Sequence, residues 1–552
     1  MAKTLRLSLR SVRSGGQPQT PVAMSYVAIL LVMLVFMLLL PGLFWAMRPI
    51  WNAAVWRALW LDPQLPLAFQ TTLVSALLGS LLALSLALII ALQCYPGRSW
   101  WQVQRQLPLF LAIPHAAFAI GIVFLFAPSG WIVRVMALLT GWLSPPAWIT
   151  IHDDYGFTLA LALAVKESGF MLWVLFAVLG EQAISRQMTL ARTMGYRPFQ
   201  IWWFILLPQL MPRLAWSLVA VVAYGLSVVD MALILGPTNP PTVAVLISQW
   251  LTDPSPMLQA QGEATSLLLL FLLGVLVIFG RSLWRCRGIF LAYPAGFRHR
   301  VHHWSMPKLH PFIFLLCYGV MLSLTLWSVA GAWFFPQLWP STFTGMNWLQ
   351  ADFTPAFTAL WLGILSCLFC LPIALCWLEW GPQHYNALLY LPLIIPTLPL
   401  IAAQYSVLLQ LRLDGTVSGV VWSHLVWVLP YMILTLSGPY RACDPRVLVT
   451  ARALGFSRFT ACLTVKWPML LRPIMAAVAI GFSVSIAQYL PTLFAGGGRF
   501  DTVTTEAVAL SAGGERQVQA VQALLQIMLP LVVFMLAARL PLWLTRNRKG
   551  LR

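Results

Sequence analysis

Two stretches decide the fold: LARTMGYRPFQIWWFILLPQLMPR at residues 190–213 and TARALGFSRFTACLTVKWPMLLRP at residues 450–473. Slid by 260 residues, the first lays Ala191 on Ala451, Arg192 on Arg452, Gly195 on Gly455, Phe199 on Phe459 and Pro208 on Pro468. The same offset continues without a gap to Gly236 and Gly496, Thr242 and Thr502, Val243 and Val503, Gln259 and Gln519, and Ala260 and Ala520. The chain therefore repeats itself. Upstream of residue 190 the loop lengths drift and the match weakens. Within each copy the spacing predicts a short helix, then a Gly that frees the backbone for a turn, then an amphipathic run. A Pro interrupts that run before the next apolar stretch.

What surrounds the repeat is apolar. Of 552 residues, 60% are hydrophobic and 9% are charged, against about 25% charged in a soluble globular chain. Such a chain cannot clothe a water-facing surface, so a cytosolic or secreted globule is excluded. Apolar windows of ~20 residues or more favour membrane-crossing helices over the alternating strands of a barrel. They predict an all-α polytopic membrane protein with about twelve transmembrane helices. The first six are 25–47, 66–94, 107–127, 157–180, 214–236 and 264–280. The second six are 311–335, 356–378, 387–410, 418–438, 474–495 and 519–538. The stretch 131–143 is too short to cross and holds Arg134, which places it at the interface or on the outside. The first span follows Lys3, Arg6, Arg10 and Arg13, exceeds the apolar core of a cleaved signal, and reads as retained.

Charge sets the orientation. A net charge of +19 would suggest nucleic acid in a soluble protein; here it reads as topology, because cytoplasmic loops collect Lys and Arg. With the N-terminus inside, the internal segments hold 27 Lys and Arg against three acids, Glu181, Glu379 and Asp444. The external segments hold six (Arg48, Arg57, Arg134, Arg412, Arg499 and Arg516) against ten acids. Both termini then lie in the cytoplasm. An even number of spans per half makes the halves parallel repeats about an axis along the membrane normal. They are 1–280 (core 66–280) and 311–552 (core 356–538), joined by a basic, His-rich cytoplasmic linker, 281–310. None of the eight cysteines falls in an external loop, so no disulfide framework is implied.

The duplicated loop resembles the EAA loop of the inner-membrane permease subunits of binding-protein-dependent ABC importers. That pattern is Glu-Ala-Ala, three residues, Gly, nine or more residues, then an apolar residue and Pro. Ala191, Gly195 and Pro208 match it, as do Ala451, Gly455 and Pro468; the leading Glu is replaced by Thr189 and Val449. Elsewhere the likeness covers spans two to six of each half as pattern. Fused two-copy permeases occur among the ferric-iron and thiamine importers, and this chain looks most like that group. The resemblance implies a type I ABC importer permease fold in a bacterial inner membrane. It implies a coupling helix in each loop, at Ala191, Arg192, Gly195 and Pro208 and at Ala451, Arg452, Gly455 and Pro468. Each would seat on one of two copies of a separate ATP-binding cassette subunit. A periplasmic solute-binding protein would supply capture, and membrane lipid would surround the spans.

The sequence holds no motor of its own. A phosphate loop needs Gly-Lys-Ser/Thr, and none of Lys3, Lys166, Lys308, Lys466 and Lys549 follows a Gly. No enzyme activity, cofactor or metal site is expected. His299, His302 and His303 read as part of an exposed linker, and Cys367 and Cys370 as packing residues inside a span. Gly496–Gly498 read as a flexible external loop, and His424 with Pro430 as helix packing or a family feature.

Three charges remain in the spans. Lys166 and Glu167 fall near mid-bilayer, where a charge costs roughly 2.5–3.5 kcal/mol. Asp230 lies farther out, and the second half has Val426, Trp427 and Leu490 at the equivalent places, with Gln488 nearby. Lys166, Glu167, Asp230 and Gln488 are the candidate translocation path; the competing reading pairs Lys166 with Asp230 as a helix lock. The rival function is an ion-coupled secondary transporter with two six-helix halves, for which Glu167 and Asp230 are the only carboxylates inside spans. A polytopic membrane enzyme would have Asp153–Asp154 as its one acid pair and would leave the repeat unexplained. Ferric ion, thiamine, sulfate and polyamines all fit the resemblance, and thiamine or ferric iron is preferred because those importers use fused permeases.

Overall fold

The structure, a computed structural model, describes residues 22–290 and 308–544. His299, His302 and His303 of the linker, and the basic residues ahead of the first span, lie outside the described residues. Regular structure among the described residues is helical, apart from one antiparallel bridge between Ala330 and Phe343. The chain begins with α1 (Val22–Phe36), α2 (Leu39–Ala46), α3 (Leu65–Cys94), α4 (Arg98–Ala112), α5 (His115–Phe126) and α6 (Trp131–Thr140). It continues with α7 (Phe157–Leu179), α8 (Gln182–Thr193), α9 (Leu207–Ser227), α10 (Asp230–Leu235), α11 (Val243–Thr252) and α12 (Pro256–Phe290). Then come α13 (His310–Ser328), α14 (Thr354–Trp380), α15 (Thr397–Leu411), α16 (Val417–Ala442) and α17 (Arg446–Ala453). The last are α18 (Leu471–Ile486), α19 (Leu490–Gly496), α20 (Val503–Ala509) and α21 (Arg516–Leu544).

Ten helices among the described residues are long and apolar enough to cross a membrane, and a pair bent by 80° makes an eleventh crossing. The sequence-based span 387–410 differs: only α15 within it is a sustained helix, of 15 residues. The cause is local. Pro392, Pro396 and Pro399 crowd its start, and each lacks the N–H that an α-helix needs. The repeat is clearer in the backbone than in the residues. α7 and α16 start at Phe157 and Val417, α10 and α19 at Asp230 and Leu490, α11 and α20 at Val243 and Val503, and α12 and α21 at Pro256 and Arg516. The 260-residue offset thus reaches back to α7, where the side chains no longer match.

Lipid and protein divide the side chains by size. Leu30, Leu34, Phe271, Ile278, Phe357 and Leu368 stand outward on the helices. Inside, α3 buries a stripe of Thr72, Ser75, Ala76, Gly79, Ser80 and Ala83, and it packs along α7. Small residues let helix backbones approach where apolar burial offers little gain over lipid. The first helices of the two halves cross over. α2 packs on α15, and α13 packs on α5. Both contacts need glycine: a methyl on Gly42 would overlap the Ala403 carbonyl, and one on Gly121 would overlap Val320.

Two buried cations hold irregular backbone. Pro114 gives no N–H to the Phe110 carbonyl, so the chain breaks between α4 and α5 inside the apolar layer. Lys166 closes that break: its Nζ donates to the carbonyls of Phe110 at 3.0 Å and Ile113 at 2.5 Å. It is 4% exposed. Arg134 does the same on the other side. The stretch 131–143 turns Arg134 inward at 2% exposure, while Leu138 and Leu139 stand outward. The Arg134 guanidinium donates to the carbonyls of Ser129 (3.0 Å), Phe334 (2.8 Å), Gln337 (2.7 Å) and Trp333 (3.4 Å). It also lies 4.8 Å from the Trp333 ring. A delocalised fork with several donors suits a loop of bare carbonyls.

Removing either cation leaves buried acceptors without donors, at about 1–3 kcal/mol per group. Arg134→Gln is expected to destabilise the chain by about 3 kcal/mol, and Lys166→Met by about 2 kcal/mol because burying a charge no longer opposes folding. Thermal unfolding in detergent checks both.

Candidate functional site

The twinned loops adopt one motif. In the first, Gly195 sits at φ +86°; in the second, Gly455 sits at φ +91°. The Gly195 N–H donates to the Arg192 carbonyl at 3.0 Å and the Tyr196 N–H to the Ala191 carbonyl at 3.1 Å. The Gly455 N–H donates to Arg452 at 3.0 Å and the Phe456 N–H to Ala451 at 3.2 Å. These paired bonds end α8 and α17 in a Schellman turn, whose left-handed position suits glycine. Ala191 and Ala451 are buried, while Arg192 and Arg452 point to solvent. A second helix starts at once in each copy. Gln200 Oε1 accepts from the Arg197 N–H at 3.0 Å, and Ser457 Oγ accepts from the Thr460 N–H at 3.1 Å. In the second copy, Val449, Arg452, Gly455, Phe456 and Arg458 line a surface hollow.

The expected interruption by proline holds in one copy only. The wide π-helical turns Ile201–Leu206 and Cys462–Lys466 run up to both prolines. In the first copy the helix passes through Pro208 and continues as one piece, Pro198–Ser227. In the second, the chain turns by 80° between Met469 and Leu471, just after Pro468.

The candidate path residues separate into two groups. Lys166 faces the α4–α5 break, and among the described residues it forms no ion pair with Asp230. Glu167 turns the other way: its Oε1 meets His115 Nε2 at 3.0 Å. The His115 ring lies 4.8 Å from that of Tyr224. Tyr224 lies six residues before Asp230, near the end of α9. Tyr489 follows Gln488 in the break between α18 and α19. Gln488, just past the end of α18, donates its amide to the Val484 carbonyl of that helix at 3.1 Å. Tyr224, Asp230, Gln488 and Tyr489 are half-buried, and Tyr431 is 37% exposed. These polar groups come from α5, α7, α9 and α10 of the first half and from α16 and the α18–α19 break of the second. The two carboxylates both come from the first half.

Sequence reasoning missed His115 and the three tyrosines, because nothing in their spacing marks them. One signal was available: at the 260-residue offset Tyr431 falls on Met171 and Tyr489 on Val229. His424, by contrast, is fully enclosed, with Nδ1 to Ser485 Oγ at 2.8 Å and Nε2 to Thr492 Oγ1 at 2.9 Å. It ties α16 to α18 and α19.

No model of a known protein family matches the sequence. A curated relative does: "Inner membrane ABC transporter permease protein YnjC" of Escherichia coli (strain K12). It is 40% identical over 522 residues, which is 95% of this chain and 97% of the relative. Identity of that extent, on an all-helical chain with these membrane-crossing helices, is decisive: the chain belongs to the family of inner membrane ABC transporter permeases.

Proposed function

We propose that the chain is the whole translocation unit of an ATP-driven importer. Residues 1–280 and 311–552 form its two permease halves, 281–310 joins them in the cytoplasm, and both termini face inward. Two copies of an ATPase subunit seat on the elements around Ala191, Arg192, Gly195 and Pro208 and around Ala451, Arg452, Gly455 and Pro468. A periplasmic binding protein delivers the solute to the opposite face. The observation that carries this reading is the twinned Schellman turn, with an exposed Arg on each copy. A soluble motor can drive a membrane chain only through firm elements outside the bilayer, and a pair of such elements suits a paired motor.

Glu167, Asp230 and Gln488 line the solute path, and Lys166 supports its wall from behind. The cargo is a small cation. Two carboxylates attract positive charge, and three phenol rings offer faces that bind an organic cation within about 6 Å of their centres. A thiamine-like cation suits this spread-out arrangement better than a bare ferric ion. Among the described residues, no three His, Cys, Asp or Glu side chains converge to hold a metal.

Reconstitution in proteoliposomes tests the class. Import is expected only with the ATPase, the binding protein and ATP together; import by the chain alone would overturn the reading. For the path, Glu167→Gln with Asp230→Asn is expected to raise the half-saturating concentration of a cationic solute by about tenfold. The same pair should leave ATP hydrolysis unchanged.

A further inference from the structure

The second coupling element has a buried anchor that the first lacks. Glu379 ends α14 on the side of the twinned loops, and its side chain is 2% exposed. Oε1 accepts from Arg458 Nη2 at 3.1 Å, and Oε2 accepts from Lys466 Nζ at 2.6 Å and from the Tyr440 hydroxyl at 2.9 Å. Lys466 also stands 4.0 Å from the centre of the Tyr440 ring. Trp467 Nε1 donates to the Tyr440 hydroxyl at 3.1 Å. Next door, Trp380 stacks on Phe459 with centroids 6.3 Å apart. One carboxylate thus joins three parts: the membrane core through α14, the end of α16, and both ends of the Arg458–Lys466 run.

The first copy has other residues at these positions. Going back 260 residues, Arg458 becomes Pro198, Lys466 becomes Leu206, Trp467 becomes Leu207 and Tyr440 becomes Gly180. The first copy has instead an ion pair from Arg213 to Glu181 at 2.7 Å, with side chains 42% and 49% exposed. Exposed pairs of that kind contribute little. The difference matches the backbone. The first element continues straight into its span and can push along its own axis. The second has an 80° corner after Met469, and a push on a bent limb closes the corner unless the limb is braced.

We infer that Glu379 is the positioning residue that braces the second coupling element across this corner, so that the two elements reach the membrane core by different means. The inference rests on the proposed role of these elements as ATPase contacts. Losing the carboxylate leaves Arg458 and Lys466 facing each other in a buried place, which forces the limb off the core. The brace transmits force and takes no part in nucleotide chemistry.

The test uses the full complex in proteoliposomes and reads solute imported per ATP hydrolysed. Glu379→Gln is expected to keep the ATPase bound and hydrolysing while the ratio falls about tenfold. Lys466→Met, which keeps the Glu379–Arg458 pair, is expected to lower it about threefold, and Glu181→Gln less than about twofold. Glu379→Asp should recover most of the ratio. An unchanged ratio in Glu379→Gln, or an equal fall in Glu181→Gln, overturns the inference. If Glu379→Gln does not assemble, Lys466→Met decides alone, and an unchanged ratio there overturns it. A wild-type chain that binds no ATPase counts against the proposed function instead.

Discussion

Every break in a helix inside a bilayer exposes backbone groups that lipid cannot satisfy, and this fold depends on meeting that demand from side chains. Lys166 serves the break before α5. At the end of α9, the Thr397 N–H donates to Ser227 Oγ at 3.1 Å, and Thr397 Oγ1 donates to the Ser227 carbonyl at 3.3 Å. At the end of α18, Thr504 Oγ1 donates to the Ile486 carbonyl, and His424 holds Thr492 of α19. Without such partners the breaks would leave backbone donors and acceptors bare in lipid.

The same demand separates charges that look alike in the sequence. Lys166 and Glu167 are neighbours on one helix, where adjacent residues do not face each other. One donates to backbone carbonyls, and the other meets a histidine. As a permease subunit the chain is not itself catalytic. Lys166 and Arg134 hold backbone instead.

The class, the duplication and the two loops were legible because each rests on a local rule. Apolar length gives spans, a glycine at a constant place gives a turn, and a constant offset gives a repeat. The span at 387–410 was read as one helix, whereas only Thr397–Leu411 is sustained, because hydropathy registers proline as permissible while the backbone does not. The roles of Lys166 and Glu379 were not legible at all. Each depends on partners far along the chain, Phe110 and Ile113 for one and Tyr440, Arg458 and Lys466 for the other. A hint lay in charge: Glu379 is one of three acids on a strongly basic face, and an acid kept there asks for a reason.

The crossed packing of α2 on α15 and of α13 on α5 bears on how the protein is made. As α2 emerges from the ribosome, residues 397–411 are still unmade, so Gly42 enters lipid with its partner backbone absent. The amino-terminal helix must wait, unassembled, until most of the polypeptide has been synthesised, and only then does it close onto its seat. Maturation is therefore committed late, and a truncated translation product retains an unsealed groove where α15 would have been.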